Sequence, residues 1–158
     1  MSLEHIWKYF MNCPTVYLAT VDHKQPHVRP MSLVEHQKEL WMATKTSFPK
    51  TSQLEENSLM EFTFCLRGTN RIGMIRATGK AELIHEQEQK RVLAKVIPFF
   101  EAYWEDPEED DFTLLKLKLK QIFFDDPEGD GTKQLLALGE DGKKVIKVTT
   151  VPPFRRRS

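Results

Sequence analysis

Val28-Arg29-Pro30-Met31, Leu40-Trp41-Met42-Ala43-Thr44 and then Lys50 are the stretches that decide the fold. The first two read as strands, and the polar His36-Gln37-Lys38-Glu39 between them reads as a turn. The second strand of the chain covers His27 to Glu35, and Pro30 breaks it in its middle. A proline there marks an edge, a bulge or a functional bend. Lys45 to Phe48 forms a loop. Pro49 suits the first turn of a helix that ends near Asn57, and Ser47 suits its cap. This order brings a guanidinium, a hydroxyl and an ammonium to where a phosphate could sit. Arg29 can clasp phosphate bidentately, and Lys50 adds a point charge. Thr44, Thr46 and Ser47 add hydroxyls, and the helix aims its positive end at the same region.

Outward from this segment the pattern is mostly antiparallel strand. Apolar spacing at Ile6, Trp7, Phe10 and Met11 predicts a short amphipathic helix from Glu4 to Met11. Val16 to Val21, Leu59 to Leu66 and Ile72 to His85 read as strands, with Gly73 and Gly79 as bend or bulge points. The longest helix is expected from Glu86 to Trp104, kinked by Pro98. Phe112 to Phe124 alternates strictly at Leu115-Lys116-Leu117-Lys118-Leu119-Lys120, so one face is buried and one is wet. These elements predict a mainly β (α+β) domain over residues 1–124. Its core is a six-stranded antiparallel sheet curled into a small barrel, with two or three flanking helices. Residues 125–158 read as an extension. There Leu135-Leu136-Ala137-Leu138 and Val145-Ile146-Lys147-Val148 flank an acidic Gly-containing turn, which predicts a hairpin. An isolated hairpin is marginal, so it should dock on the barrel edge or on one side of the site.

Composition narrows the function classes. The chain has 158 residues, 40% hydrophobic and 29% charged, with 23 basic side chains against 23 acidic ones. That suits one globular domain. Zero formal net charge argues against a nucleic-acid or membrane-surface field. No apolar run approaches the roughly 20 residues of a membrane span, and no signal peptide is readable. Cys13 and Cys65 form no CxxC pair and no metal spacing, which points to reduced thiols and a cytoplasmic protein.

The order Arg29, Thr44, Lys50, then Leu54 and Asn57, resembles the pyridoxamine 5′-phosphate oxidase-like split-barrel family over Thr15 to Phe124. Gly79-Lys80-Ala81-Glu82 resembles that family's Gly-Lys-Ala strand. Tyr17-Leu18-Ala19-Thr20-Val21 and Arg29-Pro30-Met31 look like its general-stress and nitroimidazole-reductase-like branch. The resemblance implies a split barrel that binds FMN, with Arg29, Thr44 and Lys50 at the phosphate. The flavin site it implies is drawn from His27, Val28, Arg29, Pro30, Met31, Trp41, Thr44, Lys45, Thr46, Ser47 and Lys50, with Pro30, Met31 and Trp41 as walls for the ring. It also implies a homodimer with the cofactor between subunits. The activity implied is electron transfer from a reduced nicotinamide, NAD(P)H, to a small acceptor. The alternatives are a non-catalytic flavin carrier or sensor, or the same fold binding heme or a deazaflavin. Phe48 stands where many members have a Ser. The C-terminus lacks the Trp and Arg-x-His segment that holds substrate in true pyridoxamine phosphate oxidases, so that activity is not implied. No catalytic side chain is readable.

Other signals are weaker. Asp126, Glu128, Asp130 and Gly131 mimic half a calcium loop, but Ala137 stands where a bidentate Glu belongs. His23 and His27 share no helical face, so no metal site is expected. The Lys face of residues 115–120 and the Arg155-Arg156-Arg157 tail read as solvated charge.

Overall fold

The computed structural model describes residues 3–153, apart from the side chain of Lys50. The Arg155–Arg157 tail lies outside the described residues. A short helix, α1 (Leu3–Trp7), runs into a 3-10 turn at Lys8–Phe10. Ile6 and Phe10 are fully buried, and Phe10 packs edge-on against Phe62, so this segment plugs the core.

The strands among the described residues are β1 (Thr15–Asp22), β2 (Gln25–Ser32), β3 (Val34–His36), β4 (Glu39–Lys45), β5 (Leu59–Arg67), β6 (Ile72–Ile84), β7 (Phe112–Asp125), β8 (Lys133–Leu138) and β9 (Val145–Val151). All their pairings are antiparallel, in the order β2-β1-β5-β6-β7-β4-β3, with β8 on β7 and β9 on β8. The expected mainly β, split-barrel class is what the molecule has. The expected six barrel strands become seven, because the stretch from His27 to Glu35 is two strands.

The division falls at Leu33 rather than Pro30. β2 runs through Pro30, and its ladder with β1 is unbroken from Thr15↔Ser32 to Asp22↔Gln25. Pro26 and Pro30 are four residues apart, so they share one edge of β2. With the β1 ladder intact, their missing N–H groups fall on the free edge. β2 and β3 are the two ends of the sheet, yet only Leu33 separates them in the chain. The Leu33 N–H donates to the Pro14 carbonyl at 2.9 Å, which fixes the corner. The sheet therefore curls until its ends meet, but β2 and β4 form no ladder. The barrel is joined by the chain and stays split between these two strands.

β4 forms a wall between two apolar clusters. Leu40 and Met42 join the barrel core with Val16, Leu18, Phe62, Ile75, Leu115 and Phe124. Trp41 and Ala43 face a second cluster with Leu93, Ile97, Phe100, Trp104 and Phe112. The second cluster depends on a break in the expected long helix. Ile97 turns extended (φ −75°, ψ 112°) before Pro98, so α3 (Gln87–Val96) ends and α4 (Phe100–Tyr103) starts afresh. A kinked continuous helix would not fold Phe100 and Trp104 back against Phe112, where their ring centroids lie 5.1 and 4.9 Å from it. In the β6–β7 ladder the register shifts at Thr78/Gly79, as Gly79 led one to expect, and Gly73 keeps its register. A Cβ at Gly79 would come within 2.1 Å of the Lys118 carbonyl, so the bulge needs a glycine. No described helix is long and apolar enough to cross a membrane.

Candidate functional site

The seam between β2 and β4 is a groove of about 250 Å³. Pro30, Met31 and Ser32 line one side, and Ala43, Thr44 and Lys45 line the other. Phe48, Phe99, Tyr103 and Trp104 supply its aromatic end. Pro30 contributes to the opening, because it removes a donor from the edge that faces β4. Thr44 is buried, at 4% exposure, and its Oγ1 has no hydrogen-bond partner among the described atoms. A buried hydroxyl without a partner costs about 1–3 kcal/mol, and this one belongs to a residue of the groove lining.

Arg29 shares the inner face of β2 with Met31 but lies outside the lining of the groove. Paired residues of an antiparallel ladder share a face, and Arg29 lies opposite Leu18. Its Nη1 donates to Thr20 Oγ1 at 2.6 Å and to the Leu18 carbonyl at 3.4 Å, and Nη2 donates to Gln53 Oε1 at 3.0 Å. Thr20 Oγ1 also donates to Gln53 Oε1, at 2.7 Å. Burial pulls the Arg29 pKa below its ordinary value, and the guanidinium stays charged at any working pH. Three of its five N–H groups are used, which leaves Nε–H and one N–H of Nη2 for a ligand. Gln53 sits on α2 (Pro49–Glu56), one turn beyond position 50, so α2 carries that position beside the Arg29 network. The side chain of Lys50 itself lies outside the described atoms.

Thr46 and Ser47 are turned elsewhere. Thr46 Oγ1 donates to the Asp110 carbonyl at 2.6 Å and lies 2.6 Å from Thr113 Oγ1. Ser47 Oγ donates to Asp111 Oδ1 at 3.3 Å, and Lys45 Nζ stands 4.0 Å from Asp111 Oδ2. Ser47 therefore does not cap α2. The cap position is Phe48, whose ring has no group that could cap the helix, and the Ser47 hydroxyl donates to Asp111 instead. Trp41 is 3% exposed in the second cluster, with Lys116 Nζ 5.4 Å from its ring centroid, and it does not line the groove. His27 is half-buried opposite Thr20, and Val28 is exposed on the outer face. The expected residues thus fall into a seam (Pro30, Met31, Thr44, Lys45), a guanidinium network (Arg29 with α2) and a loop contact (Thr46, Ser47).

Sequence reading missed Thr20 and Gln53 as the partners that orient Arg29, and Phe99, Tyr103 and Trp104 as a wall. Gln53 carried a usable signal, standing three residues after Lys50 on the same helix. The aromatic wall carried none, because it exists only after the chain breaks at Pro98 and returns.

A family model described as pyridoxamine 5′-phosphate oxidase matches residues 3–125, and the chain belongs to that family. No curated protein sequence matches it significantly. Its fold is similar to a pyridoxamine 5′-phosphate oxidase-related, FMN-binding protein of Nostoc punctiforme. That match has a TM-score of 0.71 and 19% identity, and covers 94% of this chain and 92% of that one. It is also similar to a NimC/NimA family protein of Clostridium acetobutylicum, with a TM-score of 0.70, 19% identity and coverage of 86% and 92%. General Stress Protein 26 of Bacillus anthracis matches with a TM-score of 0.67, 22% identity and coverage of 85% and 97%.

Proposed function

We propose that the chain binds FMN along the β2–β4 seam and works as an oxidoreductase, passing electrons from a reduced nicotinamide to a small acceptor. The observation that carries this reading is the unladdered seam with the buried, unpartnered Thr44 Oγ1 at its wall. The residues present fit the group. Arg29 keeps two N–H groups for a phosphate, and Thr20 and Gln53 hold its plane before any ligand arrives. The sequence offers a second cation for that phosphate, Lys50, on the same helix as Gln53. Pro30, Met31 and Ala43 offer an apolar slot, and Thr44 offers a hydroxyl to a polar ring edge. When bound, FMN supplies hydride and single-electron chemistry that no side chain here can supply. The chain contributes binding, orientation and exclusion of water.

The groove of one chain, about 250 Å³, falls below the usual ligand-site range of about 300–1,000 Å³. That supports a homodimer in which a second copy completes the slot. Tyr17, Val28 and Pro30 are exposed together on the outer β1–β2 face, which suits such a contact.

The absorbance spectrum of the purified protein is the first test. Flavin bands support the reading, and a heme or deazaflavin spectrum replaces the cofactor. Arg29→Ala and Lys50→Ala should each weaken FMN binding about ten- to a hundredfold, the loss of one charge-assisted contact. Unchanged affinity in both variants removes them from the site. Steady-state NAD(P)H oxidation with varied acceptors then separates an enzyme from a carrier or sensor. A monomer in light scattering with FMN bound would contradict the dimer.

A further inference from the structure

Far from the seam, the outer sheet face carries an arrangement that costs stability. Lys80 of β6 and Lys118 of β7 are direct cross-strand partners, and both are exposed. Like charges placed directly opposite each other destabilise an antiparallel pair. Lys120 lies on the same strand, is exposed, and is the residue that the bulge leaves without a partner on β6. Among the described residues, no ion pair engages Lys80, Lys118 or Lys120. Lys45, Lys116, Lys133 and Lys143, by contrast, each face a carboxylate.

These lysines rim a groove of about 640 Å³, well above the volume of the seam. Leu59, which pairs with Lys80, and Ile146 of the hairpin contribute its apolar surface, at 55% and 65% exposure. Glu140 is the one acidic side chain in its lining. The hairpin forms the far wall because its turn seats against β7: Gly142 has φ +71°, and a Cβ there would lie 3.0 Å from the Leu119 carbonyl. An apolar trough rimmed by three lysines against one glutamate matches one ligand chemistry, an apolar body ending in an anion.

We infer that this groove binds a free anionic amphiphile, an alkyl carboxylate whose chain lies on Leu59 and Ile146 and whose head is held by Lys80 and Lys118. The inference is independent of the flavin reading. The like-charge pair supplies a test in which loss of binding and loss of folding move in opposite directions. Lys118→Glu places a carboxylate opposite Lys80, so it should raise the melting temperature by about 1–3 °C. The same variant should weaken decanoate binding about tenfold. The probe is sodium decanoate below its micelle concentration, titrated onto the full chain by calorimetry, with decanol and decyltrimethylammonium as controls. Saturable binding of decanoate, at least tenfold tighter than of either control and weakened in both Lys118→Glu and Ile146→Ser, supports the inference. Equal binding of decanol, or undiminished decanoate binding in Lys118→Glu, overturns it. Binding to phosphatidylglycerol vesicles without saturable decanoate binding overturns it in favour of a membrane surface. A dimer in light scattering that Ile146→Ser dissociates, without decanoate binding, overturns it in favour of a second copy of the chain.

Discussion

On one edge of β7, β4 pairs with residues 112–117 and β8 pairs with residues 121–125. The two neighbours are held in different ways. β4 is buried on both faces, between the barrel core and the aromatic cluster of α3 and α4. β8 buries Leu136 and Leu138 on one face, and β9 beyond it is exposed along nearly its whole length. The turn of the β8–β9 hairpin fills the interval at residues 118–120, where β7 has neither neighbour. The candidate flavin seam lies against the tightly held strand, and the lysine-rimmed groove lies against the loosely held one. A strand packed from both sides can hold a preformed slot, whereas a half-buried hairpin makes an adaptable wall.

Four experiments would break or sharpen this contrast. Deleting residues 129–158 removes the burial of Leu136 and Leu138, about 1.5–3 kcal/mol each, so denaturant unfolding should show a loss of about 3–6 kcal/mol. A truncated protein with unchanged midpoint and dimer state would make the hairpin a mere appendage. Trp104→Ala should cost about 3–5 kcal/mol and open the aromatic end of the seam. If the two clusters on β4 act as one unit, its unfolding curves by fluorescence and circular dichroism will coincide. Separate midpoints would show that the aromatic cluster melts alone.

Thr44→Val is expected to leave the apoprotein as stable as before or slightly more so, because Oγ1 has no partner to lose. The same change should weaken FMN about fivefold, the loss of about 1 kcal/mol of hydrogen bond. A variant that loses stability but keeps FMN affinity would place Thr44 in the core rather than the site.

The smallest effect concerns Glu39 at the start of β4. Burial pushes its pKa up, but hydrogen bonds from Lys143 and Lys116 and their charges outweigh this and hold it below its ordinary value of 4.5. A carboxylate with a lowered folded-state pKa contributes stability above its ordinary range and loses it as pH falls through the folded value. Glu39→Gln should therefore cost under about 1 kcal/mol at pH 7, and its difference from the wild type should shrink as the pH falls below the ordinary carboxylate range. Parallel stability profiles from pH 7 to pH 3 would show that this tie between β4 and the hairpin turn carries nothing.

Much of the strand content was legible from residues alone. The Leu/Lys alternation of 115–120, the apolar runs at 59–66 and 72–84, and the hairpin around Gly142 each carry a local period or turn signal. β2 was harder, because a proline inside a strand pattern reads as an interruption. Whether that proline interrupts depends on which edge is unpaired, and sequence does not say. The Glu86–Trp104 helix failed for a related reason. Its apolar stripe continues past Pro98, but the residue before a proline is driven out of the helical region whatever the stripe says. At the site, Arg29 was visible as a cation on a strand, while its orienting partners Thr20 and Gln53 were not. They lie 9 and 24 residues away in the chain and meet it only across β1 and α2.

By itself, then, the sequence determined the local alternation, the turn positions, the glycine at the bulge, and the charged and hydroxyl-bearing residues around 29 and 44–50. Those are properties of a residue and its near neighbours, set by sterics and by period. Only the tertiary structure decided that the sheet's two ends meet at Leu33, that Pro30 of β2 faces the opening, and that Thr44 is left with an unpaired hydroxyl there. It also decided that Lys80 and Lys118 stand opposite each other on one face. Each of these is a pairing between distant segments, and register across a sheet is set by the burial of all its strands together.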